Sequence, residues 1–106
     1  MKNFIVDPFG LEWDSEILSP RSYAEGKEYA KKNNLFVPER WELIRLVDWC
    51  LKNGFKGFED MRDLWFGSSS SSALNANCAW VVDFYYGYVS YDGKDYNYSV
   101  RCVRRS

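Results

Sequence analysis

The sequence predicts an α+β fold in which two helices pack on a small antiparallel sheet and a long irregular loop region leads into the final strands. Three observations carry this. Helical periodicity is confined to the first half of the chain. Period-two alternation of apolar residues dominates the last third. Nothing alternates as β–α–β, so no parallel doubly wound sheet is expected. At 106 residues the chain suits one domain, spanning 1–106.

The elements follow in order. Phe4–Val6 and Leu11–Trp13 read as short strands around the turn Asp7-Pro8-Phe9-Gly10. Ser19-Pro20 reads as a helix start, with the helix running from Pro20 to Lys32 and ending at Asn33-Asn34. Tyr23, Lys27 and Ala30 share one face, and Gly26 either weakens the helix slightly or permits close packing. After the extended link Leu35-Phe36-Val37, Pro38 opens a second helix with Glu39 and Glu42 in its first turn. Leu43, Leu46, Val47, Cys50 and Leu51 form a buried stripe, and Asn53-Gly54 is the stop. Phe55–Leu64 has no clean period beyond one helical turn near Glu59–Arg62. Ala79–Tyr88 alternates as a strand, with Trp80, Val82, Phe84 and Tyr86 on one side. Asp92-Gly93 is a hairpin signal, and Tyr96–Arg104 is the return strand. Tyr98, Val100 and Cys102 form its apolar face, so Tyr86 and Tyr98 are expected in the core and Arg101 on the other side.

Composition narrows function. Net charge is −1, from 14 basic and 15 acidic residues, so no broad basic field exists to hold a phosphate backbone, and direct nucleic-acid binding is not expected. Arg101, Arg104 and Arg105, like the acidic group Glu59, Asp60 and Asp63, read as solvated surface. There is no histidine, which excludes Ser-His-Asp and Cys-His catalysis and His-ligated metal sites. Three cysteines without CxxC spacing fit reduced, packed thiols and a cytoplasmic setting. Met1–Asp14 contains no apolar run of secretory length, and no membrane segment is expected.

The stretches "LFVPERWELIRLVD", "LWFGSSSS", "AWVVDFYYG" and "YSVRCVRR" appear in that order, preceded by "GLEWD" at Gly10–Asp14. This series resembles a bacterial domain family with the pattern WRLP or WHVP, then a helix carrying EL or EW, then YWSSS, AW.v.F..G and VRCV. That family includes the C-terminal domain of the collagen-like adhesin of Legionella and is similar to the major paralogous domains of Fibrobacter. The closing Ser99–Val103 is the most specific match. The family tryptophan before Leu-Pro is replaced here by Leu35 or Phe36, and a tryptophan follows the proline instead, at Trp41. The resemblance implies a C-type-lectin-like domain whose first and last strands share one sheet. It also implies that the serine run Ser68–Ser72 is a short strand entering the loop region, not a hinge.

The fold hosts enzymes, sugar binders and protein binders alike, so function must rest on residues. The enzyme branch, formylglycine generation, uses a reactive cysteine pair. Cys50 and Cys102 fall on buried faces, leaving Cys78 alone in a loop, so no enzyme activity is expected. Neither Glu-Pro-Asn nor Gln-Pro-Asp occurs, so calcium-dependent sugar binding is not expected, and no metal or cofactor is assigned.

The expected function is a non-enzymatic module whose partner is another protein. An adhesive domain with a glycan partner is the alternative. A phage or mobile-element inhibitor of a host defence complex, of the anti-CRISPR kind, is a further one. The candidate contacts begin with Trp41 and Trp49, which lie off the buried stripe: they are expected to be covered by another part of the chain and, if exposed instead, are hot-spot candidates. To these are added Glu59, Asp60 and Asp63, an acidic group suited to a basic groove, and Asn75 and Asn77 in the loop Ala73–Asn77. Tyr88, Tyr91 and Tyr96 complete the set, because tyrosine offers large contact area at low entropic cost.

Overall fold

A computed structural model describes residues 2–105. Two helices and two sheets make up an α+β architecture. The first sheet has the order β1-β2-β8, from Phe4–Val6, Glu12–Asp14 and Val103–Arg104, all antiparallel. Early and late segments of the chain therefore share one sheet. Asp7 sets the β1–β2 turn. Its buried carboxylate accepts the N–H groups of Phe9 and Leu11 at 2.9 and 3.0 Å, and the indole N–H of Trp13 at 2.9 Å. Trp13 is fully buried, and its one polar atom is satisfied by that bond.

The second sheet has the order β3-β7-β4-β5-β6. Its strands are β3 (Leu18–Arg21), β4 (Trp65–Ser71), β5 (Cys78–Asp83), β6 (Val89–Gly93) and β7 (Tyr98–Val100). The β4–β7 pair is parallel and the other pairings are antiparallel. The serine run lies in and just beyond β4. Buried Ser68 donates to the Trp80 carbonyl at 2.7 Å, and Ser70 Oγ accepts the Arg40 N–H at 2.9 Å. The Ser69 N–H donates to the Pro38 carbonyl at 2.9 Å. These bonds tie the run to the start of the second helix, which a flexible linker would not do.

Both helices start later than the prolines suggest. Helix α1 is Tyr23–Lys32, capped by Ser22. Ser22 Oγ accepts the Glu25 N–H and the Glu25 carboxylate accepts the Ser22 N–H. That reciprocal pair outcompetes the Ser19-Pro20 start, and Pro20 lies in β3, an edge strand where its missing N–H costs nothing. Helix α2 is Arg40–Asn53, with Glu39 and Glu42 as its capping pair. It ends at Gly54, whose φ of +74° suits glycine. Gly26 permits α1 to approach β7: an added Cβ would meet Val100 at 3.2 Å.

The α2 stripe buries Leu43, Leu46, Val47 and Cys50 against Trp13, Phe58, Phe66 and Phe84. Leu51, expected in that stripe, is 46% exposed. Glu42 is buried at the other end of the helix, where Arg105 donates to both its carboxylate oxygens at 2.6 and 2.7 Å. A second cluster under α1 joins Leu18, Ala30, Leu35, Val37, Val100 and Cys102. The segment Glu59–Met61 is a single 3₁₀ turn, as expected for an irregular stretch.

The final hairpin differs most from expectation. β5 stops at Asp83, the chain turns through Phe84–Tyr88, and β6 returns along β5. The cause is local. The Asp83 carboxylate accepts the N–H groups of Tyr85 and Tyr86 at 2.8 and 3.1 Å, bending the backbone away from the ladder. Gly87, at φ +82°, completes the turn. Tyr86, expected in the core, is therefore 63% exposed. Asp92-Gly93 ends β6 instead of turning the hairpin. Arg101, expected on a solvated face, is fully buried.

Candidate binding surface

The turn after β5 presents Tyr85, Tyr86 and Tyr88 as adjacent, largely exposed rings. Tyr85 and Tyr86 meet edge to face at 4.2 Å between centroids, and Tyr86 and Tyr88 lie 5.3 Å apart. Beneath them Phe84 is fully buried and packs edge to face on Phe66 at 5.1 Å. One buried ring thus anchors three presented ones. Beside the turn an open cleft of about 430 Å³ is lined by Asp63, Trp65, Asp83, Tyr85, Tyr86 and Tyr88. Trp65 is partly exposed along this wall. Asp63, also in the lining, has φ +71°, its N–H bound to the Phe84 carbonyl at 3.2 Å.

The sequence candidates are dispersed by the fold. Asp63 and Tyr88 meet in this cleft. Tyr91 lies along β6, opposite Trp80, with which it packs edge to face at 5.2 Å. Tyr96, Asn75 and Asn77 fall at the far end of the hairpin, where the Lys94 N–H donates to the Asn77 carbonyl at 2.8 Å. The Asn77 N–H is taken up by Asn75 Oδ1 at 2.9 Å.

The two α2 tryptophans differ. Trp49 is half-buried against the main core. Trp41 is 52% exposed, not covered, because what lies over it is a single guanidinium. Arg45 is stacked with Trp41 at 5.0 Å and with Phe9 at 4.5 Å.

The acidic group does not form one patch. Asp60 accepts from buried Arg101 at 3.1 Å. Glu59 accepts the Gly57 N–H at 3.1 Å, and backbone N–H bonds hold its pKa below the usual carboxylate value. Only Asp63 of the three reaches the cleft. Among the described residues no cluster of three or more metal-ligating side chains exists.

Sequence reasoning missed Tyr85, Tyr86, Trp65 and Asp83. The overlooked sign was Gly87 inside an apparently continuous strand, since glycine there marks a bend.

A family model described as the Lcl C-terminal domain matches residues 7–104. The chain belongs to the Lcl C-terminal domain family. Neither a curated protein nor a solved structure matches it. For this Lcl C-terminal domain, the match runs from Asp7, which sets the first turn, to Arg104 in β8. It therefore includes the tyrosine turn and its cleft.

Proposed function

We propose that this Lcl C-terminal domain is a non-enzymatic binding module on a C-type-lectin-like scaffold, and that it recognises another protein through the tyrosine turn. The pairing of β2 with β8 supports the scaffold. The observation that carries the binding reading is the turn itself. Tyr85, Tyr86 and Tyr88 are exposed yet held in place by buried Phe84 and Asp83. Ordering a loop normally costs free energy on association, and here the backbone of the turn is already fixed in the free protein by the Asp83 bonds.

The thiols support a non-enzymatic reading. Burial pushes both Cys50 and Cys102 up to about 12, so neither is a nucleophile near neutral pH. The mobile-element inhibitor has no support in the fold or the family. The acidic group it needed is divided, with Asp60 committed to Arg101.

A glycan is the second reading, favoured by the cleft. Trp65 and the tyrosines offer flat apolar walls, and Asp63 adds a carboxylate to the lining. The test is capture from the native cell, followed by titration of the purified partner. Tyr86→Ala with Tyr88→Ala should weaken binding at least about tenfold, or 1.4 kcal/mol. Unchanged affinity would overturn the protein reading. Saturable binding on a glycan array, lost on Trp65→Ala, would establish the second.

A further inference from the structure

The second sheet has two edges, and they are not alike. β3, at one edge, carries Pro20 and Arg21, the residues that block strand addition. β6, at the other edge, reads Val89-Ser90-Tyr91-Asp92-Gly93, with no proline, lysine or arginine.

The ladder shows which backbone groups point outward. The Asp83 N–H donates to the Tyr88 carbonyl at 2.8 Å, and the Lys94 N–H to the Asn77 carbonyl at 2.8 Å. Both ends of the β5–β6 pair therefore have the same phase. Val81↔Ser90 and Ala79↔Asp92 are the hydrogen-bonded pairs. Val82↔Val89, Trp80↔Tyr91 and Cys78↔Gly93 are the alternate pairs, so Val89, Tyr91 and Gly93 aim their N–H and C=O away from β5.

Gly93 is already closed. Its N–H donates to Asp92 Oδ1 at 2.8 Å, and its carbonyl accepts the Tyr96 N–H at 3.0 Å. The other Asp92 oxygen accepts the Tyr98 hydroxyl, so the strand's one charge is engaged within the chain. The open edge is Val89 and Tyr91, whose backbone groups have no partner among the described residues.

This edge is self-complementary. Two copies placed antiparallel about Ser90 match Val89 with Tyr91 twice, closing four backbone hydrogen bonds around a two-fold axis. Each valine then lies beside the other copy's tyrosine, a favourable cross-strand pair, and both side chains are substantially exposed in the single chain. No like charges are opposed at the centre, where Ser90 meets its counterpart. We propose that β6 is a self-pairing edge and that its occupant is a second copy of this chain. The contact is short, well under the roughly 800 Å² per partner of a stable interface, so the dimer is weak and concentration-dependent. It places two tyrosine turns on one assembly, whatever partner they bind.

Sedimentation of the full chain up to about 1 mM, with amide exchange, tests the proposal. Dimer should grow with concentration, and the Val89 and Tyr91 amides should gain protection with it. Val89→Lys should weaken self-association at least about tenfold. Tyr91→Pro should do the same, and it spares the β5 ladder because that N–H points outward. Ser90→Cys tests the register. The non-hydrogen-bonded pair brings two cysteines to about 4.5 Å between Cα atoms, so a disulfide dimer should form, while wild type and Tyr88→Cys stay reduced. A monomer throughout the range overturns the proposal. So does a dimer insensitive to Val89→Lys, or one that Ser90→Cys does not cross-link. A monomer whose edge amides are protected only by another protein's strand also overturns it, and assigns the edge to that partner.

Discussion

Asp60→Ala tests how the segment after β7 is held. Arg101 is fully buried, and its Nε donates to the Asp14 carbonyl at 2.7 Å. Its Nη1 donates to Asp60 at 3.1 Å, and Nη2 has no partner among the described residues. Burial lowers the pKa of this guanidinium, and Asp60 works against that. Removing one partner of a fully buried ion pair costs about 3–5 kcal/mol, because a charge is left uncompensated. The Asp60 side chain is 56% exposed, so water screens the pair and replaces part of what is lost. Fully exposed pairs contribute about 0.2–1 kcal/mol. Asp60→Ala should therefore cost about 1–2 kcal/mol, between those limits. For a domain of this size that lowers Tm by roughly 5–15 °C. Urea denaturation of wild type, Asp60→Ala, Arg101→Met and the double variant measures it. With Arg101 replaced, Asp60→Ala should cost less than about 0.5 kcal/mol. Equal losses in both backgrounds, or no loss in wild type, would refute the assigned role of the charge.

Glu42 gives a pH dependence. Burial pushes its carboxyl up, but the paired Arg105 N–H groups and the Glu39 N–H outweigh burial and hold the pKa below 4.5. Its contribution is present above that value and lost as pH falls toward the folded-state pKa, so Glu42→Gln should destabilise near pH 7 and the gap to wild type should narrow as pH falls below 4.5 in thermal melts. Replacing Ser69 and Ser70 with leucine should cost more than about 2 kcal/mol by denaturation, since Ser70 caps the Arg40 N–H and the strand is tied to Pro38. Stability unchanged by that pair would restore the linker reading. Asp83→Ala frees the N–H groups of Tyr85 and Tyr86, and should cost about 1–3 kcal/mol and speed their amide exchange. Slow exchange in that variant would show that other contacts fix the turn.

Elements whose determinants are local were legible. The Leu43-Leu46-Val47-Cys50 stripe and the Gly54 stop define α2 without reference to the rest of the chain. Where two local signals competed, the structure chose the one with more bonds, so Ser22 with Glu25 displaced Ser19-Pro20. Leu51 followed the helical period and is still 46% exposed, with the glycine of the tyrosine turn, Gly87, as its neighbour. Arg101 was hidden for a different reason. A charged residue reads as surface unless its partners are known, and these are far away in sequence, at Asp14 and Asp60. The candidate surface was half legible. Tyrosine enrichment marked the right hairpin, but period-two alternation carried Tyr86 inward because an aspartate capping its own turn leaves that pattern intact.

The same hairpin carries core and exposed residues side by side, and the division is sharp. Phe84 faces the core, where it meets Phe55 and Phe66, and Tyr85 faces solvent one position later. Asp83 lies between the two roles, buried itself but bonded to the presented turn. Along β6 the alternation is one of backbone groups, with Ser90 paired to Val81 and the N–H and C=O of Tyr91 directed to the open edge. A capped turn at the end of a strand is enough to present exposed tyrosines directly after a residue buried in the core. The exposed rings of Tyr85, Tyr86 and Tyr88 are thereby carried on a backbone fixed by Phe84, Asp83 and the β5 ladder.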